Sequence, residues 1–262
     1  MRIAASILLA AITVAPTLEA SPDADTLVSK VRAALEPDRA SVRKVTMTTT
    51  GPGGDASQIT LGAARKKVGP APRVVMVVLS PAGLRGTTLL VEEQTAENVL
   101  WLYVPAIGRT RKLVSPEAYT TFLNSDFTFA DLGFVGMGAK YQLAGEEKRQ
   151  GVDTYKLEGV PRETWYYSRF VTWVAKDTFF PVERNFNDVA NNLWKVERWS
   201  NVSAINGVST ALRLSMENVQ TQTKSEIVAD AVRYDVEVAD ALVDPAQLSK
   251  AADSSVWGTL GK

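Results

Sequence analysis

The stretch LWKVERWSNVSAINGVSTALRLSME, residues 193–217, decides the fold class of this chain. It contains two runs rich in β-branched and aromatic residues, near Leu193–Val202 and Ser209–Glu217, and such runs are typical of strands. Asn206 and Gly207 lie between them, and both residue types tolerate the positive φ angles that a tight hairpin turn needs. The stretch therefore predicts a β-hairpin, the unit from which antiparallel sheets are built.

The same texture continues through the chain from Ala40 onward, with Gly, Pro, Asn and Asp separating the runs at intervals of roughly ten residues. The other predicted strands lie near Ser41–Thr50, Ser57–Val68, Arg73–Ser80, Thr87–Glu92, Val99–Val104, Arg109–Val114, Lys140–Glu147, Val152–Gly159, Tyr167–Ala175, Pro181–Asn187 and Ser225–Val236. Because every open sheet has two exposed edges, so many strands favour a rolled sheet or barrel over a flat one.

Three segments depart from the strand pattern. Apolar residues recur at helical spacing between Asp25 and Pro37, which predicts one amphipathic helix of about three turns. The segment Ser115–Met137 lacks sustained alternation and predicts a long connection with short helical turns. The segment Ala239–Leu248 predicts a short docked helix or turn.

The N-terminus is typical of a cleavable signal peptide. Arg2 is followed by an apolar run from Ile3 to Val14 and by the small residue Ala20. A cut after Ala20 is expected, Ala15 offers another cut, and a retained membrane anchor is the alternative. The sequence therefore predicts an exported protein of the periplasm.

The composition excludes several kinds of chemistry. The 29 basic and 29 acidic residues balance, so nucleic acid is not expected as a partner. The chain has no histidine and no cysteine, which rules out Ser-His-Asp and Cys-His nucleophiles and zinc sites built from these residues. Residues 21–262 are predicted to form a single domain that is not an enzyme and holds no cofactor or metal.

Four segments carry a family resemblance. They are PAGLRGT at 81–87, LWLYVPAIGRTRKL at 100–113, NSDFTFADL at 124–132, and YSRFVTWVA at 167–175 with FPVE at 180–183. In this order they resemble the periplasmic outer-membrane lipoprotein-sorting proteins, the LolA-like lipoprotein and lipid carriers. The match covers most of the chain after the N-terminal segment.

This resemblance implies a mainly β (α+β) fold, in which a strongly bent antiparallel sheet forms an incomplete β-barrel with a helical lid over an apolar cavity. It implies a monomeric carrier that takes lipid or lipoprotein acyl chains toward the outer membrane. An inner-membrane transporter and an outer-membrane acceptor would be its partners. The chain resembles the broad carrier-like branch, so another lipid, a terpenoid or a lipid-linked intermediate is an alternative cargo.

Aromatic side chains are the candidate ligand contacts, because each buries roughly 150–250 Å². We predict that Trp101, Tyr103 and Trp173 line the cavity, with ordinary core packing as the alternative for each. The irregular segment adds five more apolar side chains: Phe122, Phe127, Phe129, Phe134 and Met137. Phe122, Phe127 and Phe129 are predicted ligand contacts. Together, the five side chains either form a mobile lid over the cavity or only anchor the irregular segment to the barrel.

Four cations are candidates for contact with a lipid headgroup or an acidic partner surface: Arg85, Arg109, Arg111 and Lys112. The alternative for the last three is a solvated strand face, and Arg85 could instead brace the barrel through a carboxylate.

Two other functions compete with a carrier. A soluble adaptor for an exporter or an envelope-assembly complex would use the basic residues near Arg109 as partner contacts. A carboxylate-dependent hydrolase would need Asp126 and Asp131 as an acid/base pair, whereas both residues also fit turn or helix-cap positions.

Overall fold

Residues that alternate with a period of two, interrupted by frequent turn residues, form one antiparallel sheet in this chain. The structure is a computed structural model that describes residues 21–94, 98–132, 139–162, 164 and 166–260. These residues form thirteen strands. The strands are β1 Ser41–Thr50, β2 Ala56–Val68, β3 Ala71–Ser80, β4 Thr88–Glu92, β5 Val99–Val104, β6 Arg109–Leu113, β7 Lys140–Arg149, β8 Val152–Val160, β9 Arg169–Ala175, β10 Pro181–Asn187, β11 Leu193–Ile205, β12 Val208–Asn218 and β13 Thr223–Tyr234.

The sheet consists of two meanders joined through the first and last strands. Its order is β6-β5-β4-β3-β2-β1-β13-β12-β11-β10-β9-β8-β7, with β1 pairing antiparallel to both β2 and β13. The sheet curls without closing, because β6 and β7 remain as its two edges. The predicted incomplete barrel is therefore confirmed, and the largest shift of a strand end is at β11, which runs to Ile205 rather than Val202.

Helix α1, Ala24–Leu35, lies where the apolar spacing predicted it. Asp23 caps its first turn by accepting a hydrogen bond from the Thr26 backbone N–H at 2.9 Å. Leu27 and Val31 are buried against β8 and β9, so the helix covers that end of the sheet. The irregular segment contains a 3-10 turn at Glu117–Tyr119 and the short helix α2, Phe129–Leu132.

The C-terminal region continues beyond the predicted segment. Three 3-10 helices, Asp240–Val243, Pro245–Asp253 and Ser255–Leu260, pack on the sheet. A Cβ atom on Gly62 would lie 2.7 Å from the Trp257 ring, so only glycine leaves room for this contact. The sequence did not reveal the part after residue 248, because its packing depends on the distant strand β2.

Candidate functional site

The two faces of the sheet are covered by different parts of the chain. Alternate residues of a strand point to opposite faces. We call the face that carries Val45 and Met47 the inner face, because their apolar cluster joins strands from both halves of the sheet, including Leu100 of β5 and Phe170 of β9. The opposite, outer face carries Val42 and is covered by the three C-terminal helices.

A cavity of about 150 Å³ lies on the inner face, over β1, β2, β3, β12 and β13. Its apolar lining consists of Val45, Leu61, Ala63, Val74, Met76, Leu212, Leu214, Ile227 and Ala229. Leu35 at the end of α1 and Leu132 of α2 also line it, so elements outside the sheet complete the wall. An apolar cavity of about this volume accommodates a ligand as small as benzene, and a longer chain needs more room.

One end of the cavity is polar. Strand register places Ser41 opposite Arg65 on β2 and opposite Tyr234 on β13. Arg43, one inner-face position further along β1, donates a hydrogen bond from Nη2 to the Tyr234 hydroxyl at 3.1 Å. That hydroxyl also lies 2.9 Å from Thr210 Oγ1, so hydroxyl groups and one guanidinium border the apolar space.

Two carboxylates share one arginine beside this polar end. Arg65 forms a bidentate ion pair with Glu93, whereas the Glu36 Oε2 atom lies 3.8 Å from Arg65 Nη1. The Glu36 Oε1 atom is buried and has no hydrogen-bond partner among the described residues. Burial, and next the Glu93 carboxylate, raise the pKa of Glu36 to about 8, against the opposing effects of Arg65 and Arg32. Burial therefore favours the uncharged form of Glu36.

Residues 117–132, which we call the lid, cover the inner face next to the cavity. Phe122, Phe127 and Phe129 of the lid are buried in the inner-face cluster. The rings of Phe122 and Phe129 meet edge to face with centroids 5.5 Å apart. The lid therefore rests on its own aromatic side chains, and Leu132 extends from it to the cavity wall.

Asp126 ties the lid to β13. Its carboxylate accepts hydrogen bonds from the hydroxyls of Ser225, at 2.7 Å, and Thr223. Its backbone N–H donates to the Ser225 oxygen at 2.8 Å. All of these groups belong to structural contacts, in agreement with the interpretation of Asp126 as a turn residue.

Asp131 ties the lid to β11. Its carboxylate accepts a hydrogen bond from the Tyr167 hydroxyl at 3.0 Å and lies 3.5 Å from Lys195 Nζ. It also accepts from the Thr128 backbone N–H at 2.8 Å, which is the helix-cap role that the sequence indicated. Lys195 Nζ donates in turn to the Asp126 carbonyl at 2.8 Å, so one buried cation contacts both the middle and the C-terminal end of the lid.

Lys195 belongs to a set of buried charges that sequence reasoning missed. Glu197, two residues further along β11, lies 3.4 Å from Arg184 of β10, and both side chains are buried. Burial raises the pKa of Glu197 to about 8, although the adjacent guanidinium of Arg184 opposes this change. In the sequence, Lys195 and Glu197 alternate with apolar residues as they would on a solvent-exposed strand face, so no local signal reveals their burial.

The predicted ligand-contact aromatics lie away from the cavity. Trp101 and Tyr103 alternate with the inner-face residues Leu100 and Leu102, and pack against the outer-face cluster. Trp173 also points outward, donates a hydrogen bond to Glu147 and lies under the Arg149 guanidinium. Ligand contact by these three residues stays a prediction, since the cavity lining in the described residues does not include them.

The predicted cationic contacts do not form one cluster. Arg85 pairs with Asp253 at 2.9 Å and donates to the Ala252 carbonyl, which braces a C-terminal helix. Arg111 pairs with Glu117 of the lid at 2.6 Å.

The two remaining predicted cations, Arg109 and Lys112, are exposed on β6, an edge of the sheet. Register pairs Arg109 with Val104 and Lys112 with Trp101, so the two cations lie on opposite faces of this edge strand.

Some predicted features lie outside the described residues, namely the signal peptide at 1–20, Phe134 and Met137. In the part of the chain that the structure covers, no helix has the length and apolar character to cross a membrane. The same part contains no group of acidic side chains arranged to hold a metal ion.

Solved structures with the same fold support the description of the sheet. A DUF1329 family protein from Desulfovibrio piger superposes with a TM-score of 0.78 at 26% identity, covering 85% of this chain and 96% of that one. A domain described as an outer membrane lipoprotein-sorting protein, from Vibrio parahaemolyticus, gives 0.78 at 21% identity over 86% and 97%. A LolA superfamily protein from Nitrosomonas europaea gives 0.69 at 19% identity over 86% and 98%.

Sequence comparison adds a family assignment. No curated protein matches the sequence of the chain. A family model described only as that of an uncharacterized protein matches residues 72–250, which is more than half of the chain. The chain belongs to that family of uncharacterized proteins, and its fold is the one shared by DUF1329 proteins and the LolA superfamily of lipoprotein-sorting domains.

Proposed function

We propose that this protein is a periplasmic carrier, which binds lipid or lipoprotein acyl chains in the inner-face cavity and shuttles them toward the outer membrane. The observation that carries this proposal is an apolar cavity on the inner face of a curled sheet, with Leu132 of the lid in its wall. Transfer of apolar ligand surface from water would drive binding, at roughly 25 cal/mol per Å². The proposed carrier works without a catalytic step, a cofactor or a metal.

The positions of the two lid aspartates support a binding role over hydrolysis. Both carboxylates are buried, and oxygen atoms of Asp126 accept hydrogen bonds from Lys195 of β11 and Ser225 of β13. The Asp131 carboxylate accepts one from Tyr167. A pair of acid/base carboxylates would have to flank a substrate groove.

The proposal includes a cellular setting. Residues 21–262 would act as a single, monomeric domain in the periplasm after removal of residues 1–20. Its partners would be an inner-membrane transporter that loads the cargo and an outer-membrane acceptor that takes it. The setting is supported by the signal-like N-terminus and by the fold shared with the Vibrio parahaemolyticus domain.

A variant that fills the cavity tests this function directly. Ala229 lines the cavity, so Ala229→Phe would occupy the space of the ligand. We expect binding of hexadecanol, measured by isothermal titration calorimetry, to weaken at least about tenfold, or 1.4 kcal/mol. Val202→Phe is the matched control, because Val202 is exposed on β11.

A second experiment identifies the natural cargo of the protein. Native mass spectrometry and lipid extraction of protein purified from periplasm without detergent should reveal a bound lipid or acylated protein. Equal hexadecanol binding by both variants, with an empty natural protein, would contradict the carrier proposal.

The edge strand β6 favours an adaptor as the second candidate. It exposes Arg109 and Lys112, and the neighbouring Ile107 and Val114 are 62% and 55% exposed. An exposed strand edge can pair with a partner strand. If the protein is an adaptor, the double variant Arg109→Glu with Lys112→Glu should no longer capture the partner in a pull-down.

A further inference from the structure

Arg43 differs from the other cations of the inner face. Its side chain lines the cavity and hydrogen-bonds the Tyr234 hydroxyl, with its guanidinium carbon 5.9 Å from the Tyr234 ring centre. Among the described residues, no carboxylate lies within 4.0 Å of the Arg43 guanidinium. Arg65, Arg184 and Lys195 each have a carboxylate partner instead, namely Glu93, Glu197 and Asp131.

A partly buried guanidinium without a counter-ion is unfavourable in an apolar setting. The cavity therefore contains one positive charge that the fold does not neutralise. A guanidinium offers several donors to a carboxylate or a phosphate, and such charge-assisted hydrogen bonds are among the stronger ones in proteins. Charge complementarity at this position favours an anionic group on the ligand.

The polarity of the cavity changes along the strands in the direction that an amphiphile requires. Ser41, Thr210 and Tyr234 add hydroxyl groups around Arg43. Further along β1 and β2, the inner-face positions are occupied by Val45 and Leu61, with only aliphatic groups. A ligand with a polar head and an apolar tail would satisfy both ends, whereas a purely apolar ligand would leave the guanidinium unpaired.

We propose that the cavity selects amphiphiles with one anionic head group, a carboxylate or a phosphate, that pairs with Arg43 while the tail lies along the aliphatic lining toward the lid. This inference rests on the proposed carrier function and specifies its ligand class. The unpartnered Oε1 atom of Glu36 borders the same end, where a protonated carboxyl can donate a hydrogen bond to the head group.

The test compares ligands of one tail length that differ only in the head group. Palmitate, hexadecyl phosphate, hexadecanol and hexadecylamine are titrated below their micelle concentrations into the delipidated full-length mature protein. We expect palmitate or hexadecyl phosphate to bind at least about tenfold more tightly than hexadecanol, and hexadecylamine to bind most weakly. The better of the two anions identifies the head group as a carboxylate or a phosphate.

Variants then assign the preference to one residue. Arg43→Gln should remove the preference, so that palmitate and hexadecyl phosphate bind no more tightly than hexadecanol does, while Arg43→Lys should keep a reduced preference. Arg213→Gln, at an exposed arginine of β12, is the control and should bind as the wild type does. Circular dichroism establishes that each variant is folded, and the wild-type ligand series tests the preference even if one is not.

The outcomes separate the two proposals. Equal binding of palmitate, hexadecyl phosphate and hexadecanol by the wild type, or a preference for anions that persists in Arg43→Gln, would overturn this inference and leave the carrier function standing. Failure of all four ligands to bind would overturn the carrier function and this inference with it.

Discussion

At the scale of single residues, the charged groups near the cavity account for its expected response to pH. The chain has no histidine, so titration near neutral pH falls to buried carboxylates. Glu36 is one of them, because Arg65 is already paired with Glu93 and burial disfavours a second unpaired anion.

The raised pKa of Glu36 predicts a stability that declines with pH. Folding raises this pKa from its usual 4.5 to about 8, so between these values the folded protein binds more protons than the unfolded chain. The contribution of Glu36 to stability is therefore fully present below about pH 4.5 and is lost as the pH rises toward 8. Between about pH 5 and 8, we expect the free energy of unfolding of the wild type to fall by about 2–4 kcal/mol more than that of Glu36→Gln. Urea unfolding at each pH measures this difference.

Two comparisons isolate this effect. Glu197 also has a raised pKa and contributes a decline of the same sign, so the difference between variant and wild type reports Glu36 alone. Glu237→Gln, at an exposed carboxylate, should leave the wild-type pH dependence unchanged. Identical pH profiles for Glu36→Gln and wild type would show that Glu36 is ionised in the folded protein.

At the scale of elements, the lid depends on one buried lysine. Lys195 pairs with Asp131 near the C-terminal end of the lid and hydrogen-bonds the Asp126 carbonyl in its middle. Removing one partner of a buried ion pair leaves the other charge uncompensated, which usually costs about 3–5 kcal/mol. The lid should therefore loosen before the sheet does.

Lys195→Met tests this dependence. We expect amide hydrogen exchange across residues 121–132 to accelerate strongly, while exchange in β1 and β13 changes much less. The double variant Lys195→Met with Asp131→Asn should recover part of the protection, because it leaves no unpaired charge. Unchanged exchange in the lid of the single variant would show that the phenylalanines and the hydrogen bonds of Asp126 to β13 hold the lid without Lys195.

At the scale of the whole molecule, the cavity and its proposed ligand differ in size. About 150 Å³ suffices for benzene, whereas a long alkyl chain needs the lid to move away from the inner face. Ligand uptake should therefore be coupled to lid opening for long ligands only.

The rate of uptake can separate the two cases. We expect Lys195→Met to speed binding of hexadecanol at least about tenfold, because a loss of about 1.4 kcal/mol in lid anchoring is enough for this factor. The double variant Lys195→Met with Asp131→Asn should speed it less, because it recovers part of the anchoring. Binding of benzene should keep its wild-type rate. Stopped-flow tryptophan fluorescence can follow both ligands, since Trp199 lines the cavity. Equal acceleration for both ligands would place the entry route elsewhere.

The architecture could be predicted from local patterns to a large extent. Period-two alternation and turn residues such as Asn206-Gly207 specify strands and hairpins within a few neighbouring residues, so all thirteen strands were identified from the sequence. Apolar residues at helical spacing likewise located α1, because this spacing is a local pattern. The number of strands already favoured a rolled sheet or barrel, and the family resemblance supplied the incomplete barrel with its lid and cavity.

The sequence by itself therefore determined the strands, their antiparallel meander and the absence of histidine and cysteine chemistry. Only the tertiary structure decided which strand face is the inner one, because curling direction depends on contacts between strands far apart in sequence. This is why Trp101 and Trp173 were predicted on the cavity wall, while Val45, Leu61 and Ala229 line it. The roles of Lys195 and Arg43 could not be predicted for the same reason. Both side chains contact residues more than sixty positions away, and Arg43 also lacks a carboxylate partner among the described residues.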